Sequence, residues 1–434
     1  MNEVQMSDVL ADLRWRGLVH QTTDDDNLSN WLGEKTRTLY AGFDPTADSL
    51  HVGHLMALLL LRRFQRAGHR PIALVGGATG MIGDPSGKSE ERNLISPEQI
   101  AANVEAMQTQ MRRFLDFDGP QGAILVNNYD WMRDWSFLEF LRDIGKNFPV
   151  GMMLGKDSVK GRLERDDVGL SFTEFSYMLI QAYDFVRLST DHDCELQIGG
   201  SDQWGNITAG IDLGRRMGRG QLQGMTCPLL TKSDGTKMGK TESGALWLDP
   251  QRTSPYAFYQ YWINVEDADA GKCLRSLTEL DHDEIEGLDQ SRQEEPHRRE
   301  SQKRLALELT RLVHGEEGLA KAERATQIFF GAEIENLSDA DLSEVFADVP
   351  SEELARDRLG GDGLNIIDAM VEAGLAKSKG EARRSIDGGG AYVNNRRVED
   401  TTRQLNTDDL ASETILVLRS GKKKYALLRF ANGS

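Results

Sequence analysis

The sequence predicts an α/β fold built on a parallel sheet, and three short apolar segments carry this prediction. Residues 38–43, 71–75 and 123–126 are each rich in apolar side chains and bounded by turn-forming residues, which is typical of buried parallel strands. An apolar run at 55–61 begins a helix between the first two strands. A strand, a helix and a strand within about 35 residues make a βαβ unit.

The length and composition of the chain limit the number of its domains and its expected cellular location. The chain has 434 residues, enough for two or three domains. Its longest strongly apolar run, 55–61, is far too short to span a bilayer, and the acidic N-terminal region shows no signal-peptide pattern. Three widely spaced cysteines, Cys194, Cys227 and Cys273, favour free thiols in a reducing compartment over a disulfide framework. We therefore expect a cytoplasmic protein with no membrane association.

Charge is spread unevenly along the chain. The formal net charge is −18, which argues against a general polyanion binder. Residues 361–434 nevertheless hold 12 Lys and Arg against 10 Asp and Glu, a net charge of +2. The tail is therefore expected to be a separate electrostatic unit.

Two histidines follow the first strand. After a turn at 44–50, His51 and His54 lie three residues apart, so they share one face of the first helical turn. The unpaired amides and the positive dipole of a helix N-terminus favour a phosphate group there. The alternative is an ordinary strand-turn-helix with two solvated histidines, and a zinc site would need more ligands.

A glycine-rich loop at 76–89 follows the second strand. Its spacing matches neither a P-loop nor a dinucleotide fingerprint. Asp84, Lys88 and Arg92 nevertheless place polar groups directly after a strand end, where open parallel sheets bind ligands. A flexible turn is the alternative.

A polar stripe runs along the helix predicted at 171–184. Tyr177, Gln181 and Asp184 recur at i, i+4 and i+7, so they share one face. A solvated face is the usual meaning of such a stripe. The rest of this helix is apolar, however, and buried polar groups need partners, which a polar substrate supplies.

Two later loops carry further candidate groups. In the turn at 196–206, Gly200 allows close approach of a flat ligand and Asp202 can accept from ribose hydroxyls, although an ordinary turn is the alternative. Residues 231–241, called the lysine loop below, hold two glycines and three lysines and are expected to be mobile. The alternative is a solvated loop.

The remaining chain is predicted to be mainly helical up to residue 334. Helices are expected at 97–118, with Ser96 as cap and Pro97 at the first position, at 135–146 and at 256–264. The acidic, loosely patterned stretch after 334 suggests a linker. In the tail, Arg383, Arg384 and Lys422-Lys423-Lys424 suggest a reader of the RNA backbone, with a dimerisation or solubility tail as the alternative.

Five segments of the sequence together resemble one family. The first is 40–54, in which His-Val-Gly-His at 51–54 resembles the HIGH signature of class I aminoacyl-tRNA synthetases and 40–46 resemble the same region of bacterial tyrosyl-tRNA synthetases. Residues 237–241 resemble the KMSKS signature, with Gly239 and Thr241 replacing its two serines. The glycine-rich loop and the polar helix follow in the family's order, and the tail is similar to a small RNA-binding module of a ribosomal protein.

The resemblance implies a fold and a domain order. It implies a Rossmann-like parallel-sheet catalytic domain, an α-helical domain and a small α+β RNA-binding domain. The implied bounds are 1–248 for the catalytic domain with a dimer-forming insertion at about 119–171, 249–334 for the helical anticodon-side domain, 335–362 for a linker and 363–434 for the RNA-binding domain.

The resemblance also implies an activity and its residues. The chain is expected to join L-tyrosine to tRNA(Tyr) with ATP, whose Mg²⁺ travels with ATP and pyrophosphate, as a homodimer without a structural metal. Implied catalytic residues are Thr46, His51, His54, Lys88, Arg92, Lys237, Lys240 and Thr241. Implied tyrosine-binding residues are Tyr40, Asp84, Tyr177, Gln181, Asp184, Gln197 and Gln203. Implied ATP-binding residues are Gly42, Asp44, His51, His54, Gly200, Asp202, Leu229, Leu230 and Lys240.

Two other functions are compatible with parts of this pattern. A tryptophanyl-tRNA synthetase shares the fold, but the RNA-binding tail and the pair Tyr40 and Asp184 are not expected in it. A non-enzymatic, synthetase-derived RNA-binding protein is expected to have lost a signature histidine or lysine, and all are present here.

Overall fold

The computed structural model of the chain describes residues 8–86, 95–163, 169–241, 244–334, 337–346 and 349–431. The chain divides into two compact units. The first comprises Met1–Thr253 and Trp262–Val313, and the second comprises Ser254–Tyr261 and His314–Ser434. Among the described residues, no helix has the length and apolar character needed to cross a membrane.

A six-stranded sheet forms the centre of the first unit. Its strands are β1 (Gln21–Thr22), β2 (Thr38–Phe43), β3 (Arg70–Val75), β4 (Ile124–Asn127), β5 (Cys194–Gly200) and β6 (Gln223–Cys227). They lie in the order β1-β6-β5-β2-β3-β4. Only the edge strand β1 pairs antiparallel, and the other pairs in this described sheet are parallel. The predicted parallel sheet is thus confirmed. A short antiparallel ribbon, β7 (Lys240–Thr241) and β8 (Gly244–Ala245), lies outside it.

Helices connect these strands and continue beyond them. They are α1 (Val9–Trp15), α2 (Leu28–Glu34), α3 (Val52–Arg66), α4 (Thr79–Ile82), α5 (Pro97–Met111), α6 (Tyr129–Met132), α7 (Phe137–Asp143), α8 (Val150–Leu154), α9 (Asp157–Leu163), α10 (Phe172–Asp191), α11 (Trp204–Arg216), α12 (Pro255–Ile263), α13 (Asp267–Leu277), α14 (His282–Glu294) and α15 (Glu300–Phe329). Gly315 interrupts α15 with φ +74° and ψ 179°, outside the helical region.

Helix α5 shows which local predictions hold and which do not. The predicted cap is confirmed, because the Ser96 hydroxyl accepts from the backbone N–H of Gln99 and Pro97 occupies the first turn. The helix ends at Met111, however, and not at the predicted residue 118. The side chain of Gln65 on α3 binds both the N–H and the carbonyl of Asp116, which holds the chain in a turn before β4.

The strand order creates the ligand crevice. From β2 the chain crosses to β3 on one side, whereas β5 lies on the other side of β2. Ligands of open parallel sheets bind outside the carboxyl ends of the strands at such a switch point. The register places Tyr40 of β2 beside Gln197 of β5, so both side chains project from the same face of the sheet.

The second unit contains a five-stranded sheet and short helices. The further elements of the chain are β9 (Ser351–Ala355), β10 (Leu364–Asn365), β11 (Ala391–Val393), β12 (Arg396–Arg397), β13 (Gln404–Leu405), β14 (Ile415–Ser420), β15 (Lys424–Ala431), α16 (Asp339–Val345), α17 (Ile366–Glu372) and α18 (Lys379–Asp387). The sheet has the order β12-β11-β14-β15-β9, and β10 pairs with β13 separately.

The segment predicted as a linker, 335–362, differs from that prediction in its described part. It supplies α16 and the edge strand β9, which pairs parallel to β15. The sequence of β9, Ser-Glu-Glu-Leu-Ala, has the charged composition of a loose segment, but an exposed edge strand tolerates such charges. Composition alone therefore did not reveal this strand.

Candidate active site

The two signature histidines form the beginning of α3. Nδ1 of His51 accepts from the backbone N–H of Gly53 at 3.1 Å, and Nδ1 of His54 accepts from the backbone N–H of His51 at 3.2 Å. The two rings stack with their centroids 3.8 Å apart. Because each Nδ1 accepts a hydrogen bond, each neutral ring carries its proton on Nε2 and acts there as a donor.

Burial determines the charge of the His54 ring. It lowers the pKa of His54 well below its usual range, and the adjacent His51 lowers it further. The His54 ring is therefore neutral at pH 7. A Cβ at Gly53 would lie only 2.8 Å from Cε1 of His51, so this close pairing requires glycine between the histidines. The arrangement offers neutral donors and a helix N-terminus to an anionic group.

Asp184 on α10 is a buried carboxyl group held by two donors. It is only 1% exposed. Nδ2 of Asn128 donates to Oδ2 and Nε1 of Trp131 donates to Oδ1, both at 2.9 Å. Burial raises the pKa of Asp184 to about 7, although both donors oppose the rise. The site thus contains a fixed carboxyl group that titrates near neutral pH.

Three buried oxygens on β2, α10 and β5 have no hydrogen-bond partner among the described residues. They are Oη of Tyr40, Oε1 of Gln181 and Oε1 of Gln197. Burial raises the pKa of the Tyr40 hydroxyl well above its usual range, and the charge of Asp184 contributes. Unpaired buried polar atoms are rare in folded proteins, so their concentration here indicates a binding site for a polar molecule.

The polar stripe of α10 continues into a second network. The hydroxyl of Tyr177 donates to Oδ2 of Asp44 at 2.9 Å. Nε2 of Gln181 donates to Oε1 of Gln203 at 3.2 Å, and Nε2 of Gln203 donates to Oδ2 of Asp84 at 2.7 Å. The helix, the end of β2, the glycine-rich loop and the turn after β5 therefore meet, and each of them carries residues that the resemblance implies for the site.

The turn after β5 places the carboxyl group of Asp202 close to the carboxyl end of that strand. A Cβ at Gly200 would lie 2.7 Å from Oδ1 of Asp202 and 3.0 Å from Cδ2 of Leu229, so a larger residue there would displace these side chains. Burial raises the pKa of Asp202, and the charge of Asp84 raises it further. Leu230 is buried and Leu229 is partly exposed. Gly42 and Thr46 lie exposed at the end of β2 and in the turn after it.

The lysine loop is a hairpin with exposed lysines. Thr231 pairs with Lys237, and the N–H of Met238 donates to the carbonyl of Leu230 at 3.0 Å. Lys237 and Lys240 are exposed, whereas Met238 is buried. The predicted residues Lys88 and Arg92 lie outside the described residues, as does the side chain of Thr241.

The structure explains why glycine occupies position 239, where the resembled signature has its first serine. The φ of Gly239 is +78°, and a Cβ there would lie 3.2 Å from Cβ of Val52, between the two signature histidines. The N–H of Leu246 donates to the carbonyl of Gly239, and the N–H of Val52 donates to the carbonyl of Leu246. The two signatures are therefore connected by backbone hydrogen bonds through Leu246.

Sequence reasoning missed the residues that hold the site together. Asn128 is fully buried: its Oδ1 accepts from the N–H of Ala78, and its Nδ2 donates to Asp184 and to the hydroxyl of Thr79. That hydroxyl donates in turn to Asp44. Asn128, Trp131 and Thr79 belong to no periodic pattern, and only their spatial contacts reveal them.

The comparisons with known proteins agree with this geometry. The family described as tRNA synthetases class I (W and Y) matches residues 33–331, and the family described as Tyrosine--tRNA ligase SYY-like C-terminal domain matches residues 341–428. A tyrosine--tRNA ligase of Rhodopirellula baltica is 62% identical over 97% of this chain and 96% of its own length. That of Geobacillus stearothermophilus is 52% identical over 98% of this chain and 100% of its own length.

Solved structures extend the likeness to the fold. A C-terminally truncated mitochondrial tyrosyl-tRNA synthetase of Aspergillus nidulans superposes with a TM-score of 0.67 at 32% identity, over 76% of this chain and 96% of its own. A tryptophanyl-tRNA synthetase of Encephalitozoon cuniculi, at 15% identity, a TM-score of 0.53 and coverage of 77% and 90%, shares the fold alone. With nearly full-length identities of this size, the chain belongs to the tyrosyl-tRNA synthetase family of class I aminoacyl-tRNA synthetases.

Proposed function

We propose that the chain is a tyrosine--tRNA ligase, which activates L-tyrosine with ATP and transfers the tyrosyl group to the 3′ end of tRNA(Tyr). The observation that carries the proposal is the buried carboxyl group of Asp184. It is fixed by two donors, lies near the unpaired hydroxyl of Tyr40 and belongs to a polar stripe on an otherwise apolar helix. This is the environment that a phenolic hydroxyl needs as a binding partner.

In the first step, an oxygen of the tyrosine carboxylate attacks the α-phosphate of ATP, and pyrophosphate leaves. Mg²⁺ enters with ATP and is part of the substrate. No protein nucleophile takes part, so positioning and charge stabilisation supply the rate. The Nε2–H groups of His51 and His54 and the amides at the start of α3 are the proposed donors to the phosphates. Further phosphate contacts are proposed for Thr46, Lys88, Arg92, Lys237, Lys240 and Thr241.

Tyrosine is proposed to bind along the α10 stripe. Asp184 accepts from the substrate hydroxyl, and Tyr40 donates to its oxygen. At the other end, carboxylate and amide oxygens suit the substrate ammonium group. We assign this end to Asp84, Tyr177, Gln181, Gln197 and Gln203.

ATP is proposed to lie at the carboxyl ends of β2 and β5. Because Gly200 has no side chain, its backbone can approach a flat adenine ring closely, and Asp202 is proposed to accept from the ribose. The proposed ATP-contacting residues are Gly42, Asp44, His51, His54, Gly200, Asp202, Leu229, Leu230 and Lys240.

In the second step, the terminal ribose of tRNA takes the tyrosyl group from the adenylate. The second unit is proposed to hold the RNA backbone, which extends the predicted RNA-binding domain to include β9. Its support is a concave surface lined by Arg384, Lys422, Lys423 and Lys424. Clustered cations of this kind bind phosphates. We place this reaction in the cytoplasm.

A homodimer is proposed through the predicted insertion at about 119–171. Large apolar side chains are exposed along it and at its end, among them Leu138 at 76% and Phe172 at 67%. Exposed apolar patches of this kind mark interaction surfaces. If sedimentation finds Leu138→Asp to be a dimer as stable as the unmodified chain, this surface is not the interface.

The activity is tested by amino-acid-dependent exchange of pyrophosphate into ATP, with tyrosine, tryptophan and phenylalanine. We expect exchange with tyrosine alone; tyrosyl-tRNA synthetases are themselves the standard example of such selectivity, at about 10⁵-fold over phenylalanine. Equal exchange with tryptophan would refute the assignment. Joint substitution of Lys422, Lys423 and Lys424 by Ala is expected to keep exchange and to weaken tRNA charging, most strongly at low salt, because fewer cations make the binding less dependent on salt.

A further inference from the structure

Helix α13 contacts the lysine loop through two polar side chains. Oδ1 of Asp269 accepts from the backbone N–H of Ser233 at 2.7 Å. Nζ of Lys272 donates to the carbonyl of Thr231 at 2.9 Å and to its hydroxyl at 3.2 Å. Thr231 is the residue that pairs with Lys237. The helix therefore holds the strand of the hairpin that leads into the two signature lysines.

The same face of α13 makes a buried contact with the loop. Sγ of Cys273 lies 3.1 Å from Sδ of Met238, the residue between the signature lysine Lys237 and Gly239. Asp269 is only 3% exposed, so the carboxyl end of its hydrogen bond to the exposed residue Ser233 is shielded from water. A shielded, charge-assisted hydrogen bond is stronger than a solvated one.

The other end of α13 is tied to the helix that carries the histidines. Arg63, near the end of α3, donates to three carbonyls, and Arg16, which follows α1, also donates to three. The accepting carbonyls belong to Arg275, Ser276, Thr278 and Leu280. These bonds satisfy carbonyls that the helix end leaves without intrahelical partners. The helix is thus tied to α3 by several hydrogen bonds.

From this geometry, we propose that Asp269, assisted by Lys272, is a positioning residue for Lys237 and Lys240 in the activation of tyrosine. The inference rests on the proposed function. One end of the lysine loop is held by α13, and the other end is held at Gly239 beside Val52. Both of these contacts connect the loop to α3. They therefore hold the exposed lysines at a fixed position relative to the histidine pair.

The test measures single-turnover formation of tyrosyl-adenylate and the Kd of tyrosine. Asp269→Ala is expected to slow adenylate formation by roughly 10- to 10²-fold, since small misplacements of reacting groups have effects of this order. The Kd of tyrosine should change by less than about twofold, because the pocket is built from other elements. Asp269→Asn keeps an acceptor oxygen and should recover most of the rate. Lys272→Met should have a smaller effect, which Lys272→Arg should restore.

Asp267→Ala is the matched control, because Asp267 is also in the first turn of α13 but contacts Gln302 instead of the loop. Asp269→Ala should also add little to Lys240→Ala, and it should speed trypsin cleavage after Lys237 and Lys240. The proposal fails if Asp269→Ala behaves like Asp267→Ala, or if its effect adds fully to that of Lys240→Ala. An unmodified chain that forms no tyrosyl-adenylate would instead refute the proposed function, and the cleavage rates would still test the loop contact.

Discussion

The tyrosine pocket and the lysine loop are built in opposite ways. In the pocket, Tyr40, Tyr177 and Asp184 are each under 5% exposed, and a hydrogen-bonded network fixes most of their polar atoms. In the loop, the side chains of Lys237 and Lys240 are exposed, and α13 holds neighbouring residues such as Ser233. A buried network suits discrimination between similar substrates, whereas exposed cations suit a charge that develops only during the reaction.

The largest effect is expected from substitutions of the exposed lysines in the lysine loop. Lys237→Ala or Lys240→Ala should lower the kcat of adenylate formation by about 10²–10³-fold, the usual effect of removing one charge-stabilising donor. The Kd of tyrosine should stay nearly unchanged. Single-turnover kinetics with equilibrium binding separate the two quantities. Normal adenylate formation in both variants would remove these lysines from the mechanism.

On the pocket side, Asn128→Ala should act through Asp184 and change both binding and rate. It removes a donor to a buried carboxyl group, and loss of one charged hydrogen bond of about 1.5–3 kcal/mol corresponds to roughly 10- to 10²-fold in kcat/KM for tyrosine. Asn127→Ala is the matched control, because Oδ1 of Asn127 accepts only from the backbone N–H groups of Gly77 and Tyr129 among the described hydrogen bonds. Equal kcat/KM in the two variants would contradict the role of Asn128.

The two regions also differ in what the sequence revealed. The stripe of Tyr177, Gln181 and Asp184 follows from helical periodicity, and the lysines follow from their signature. The residues that hold these two regions in place do not follow from any such pattern. Asn128 lies 56 residues from Asp184, and Asp269 lies 36 residues from Ser233, so no local pattern links either pair. Such supports depend on which elements pack together, and sequence periodicity describes only one element at a time.

The pH dependence of tyrosine binding should further test the role of the buried pocket. The folded-state pKa of Asp184 is about 7, raised by burial. Only the ionised form accepts well from the tyrosine hydroxyl, so the affinity for tyrosine should be highest above pH 7. It should fall by up to about tenfold per pH unit as the pH drops below 7. Binding measured from pH 5.5 to 8.5 checks this, and a profile unchanged in Asp184→Asn would assign the titration to another group.

The free energy of unfolding should depend on pH with the opposite sign to that of the tyrosine affinity. Between the ordinary pKa of 3.8 and about 7, the folded chain holds a proton on Asp184 that the unfolded chain has lost. The contribution of Asp184 to the free energy of unfolding therefore decreases as the pH rises through this window. Urea unfolding at pH 5 and pH 8 should show this decrease, and Asp184→Asn should diminish it. The pocket thus binds its substrate best at the pH where its own carboxyl group destabilises the fold.

The smallest effect is expected from Tyr40→Phe, which tests whether the pocket depends on every polar atom it contains. The Tyr40 hydroxyl is buried and has no partner among the described residues, so its removal should leave the Tm unchanged or raise it slightly. Selectivity should respond differently, because the same hydroxyl is the proposed donor to tyrosine. Since Asp184 remains, the ratio of kcat/KM for tyrosine to that for phenylalanine should fall by only about tenfold, the worth of one neutral hydrogen bond. A lower Tm with an unchanged ratio would show that the hydroxyl supports the fold and that tyrosine is recognised elsewhere.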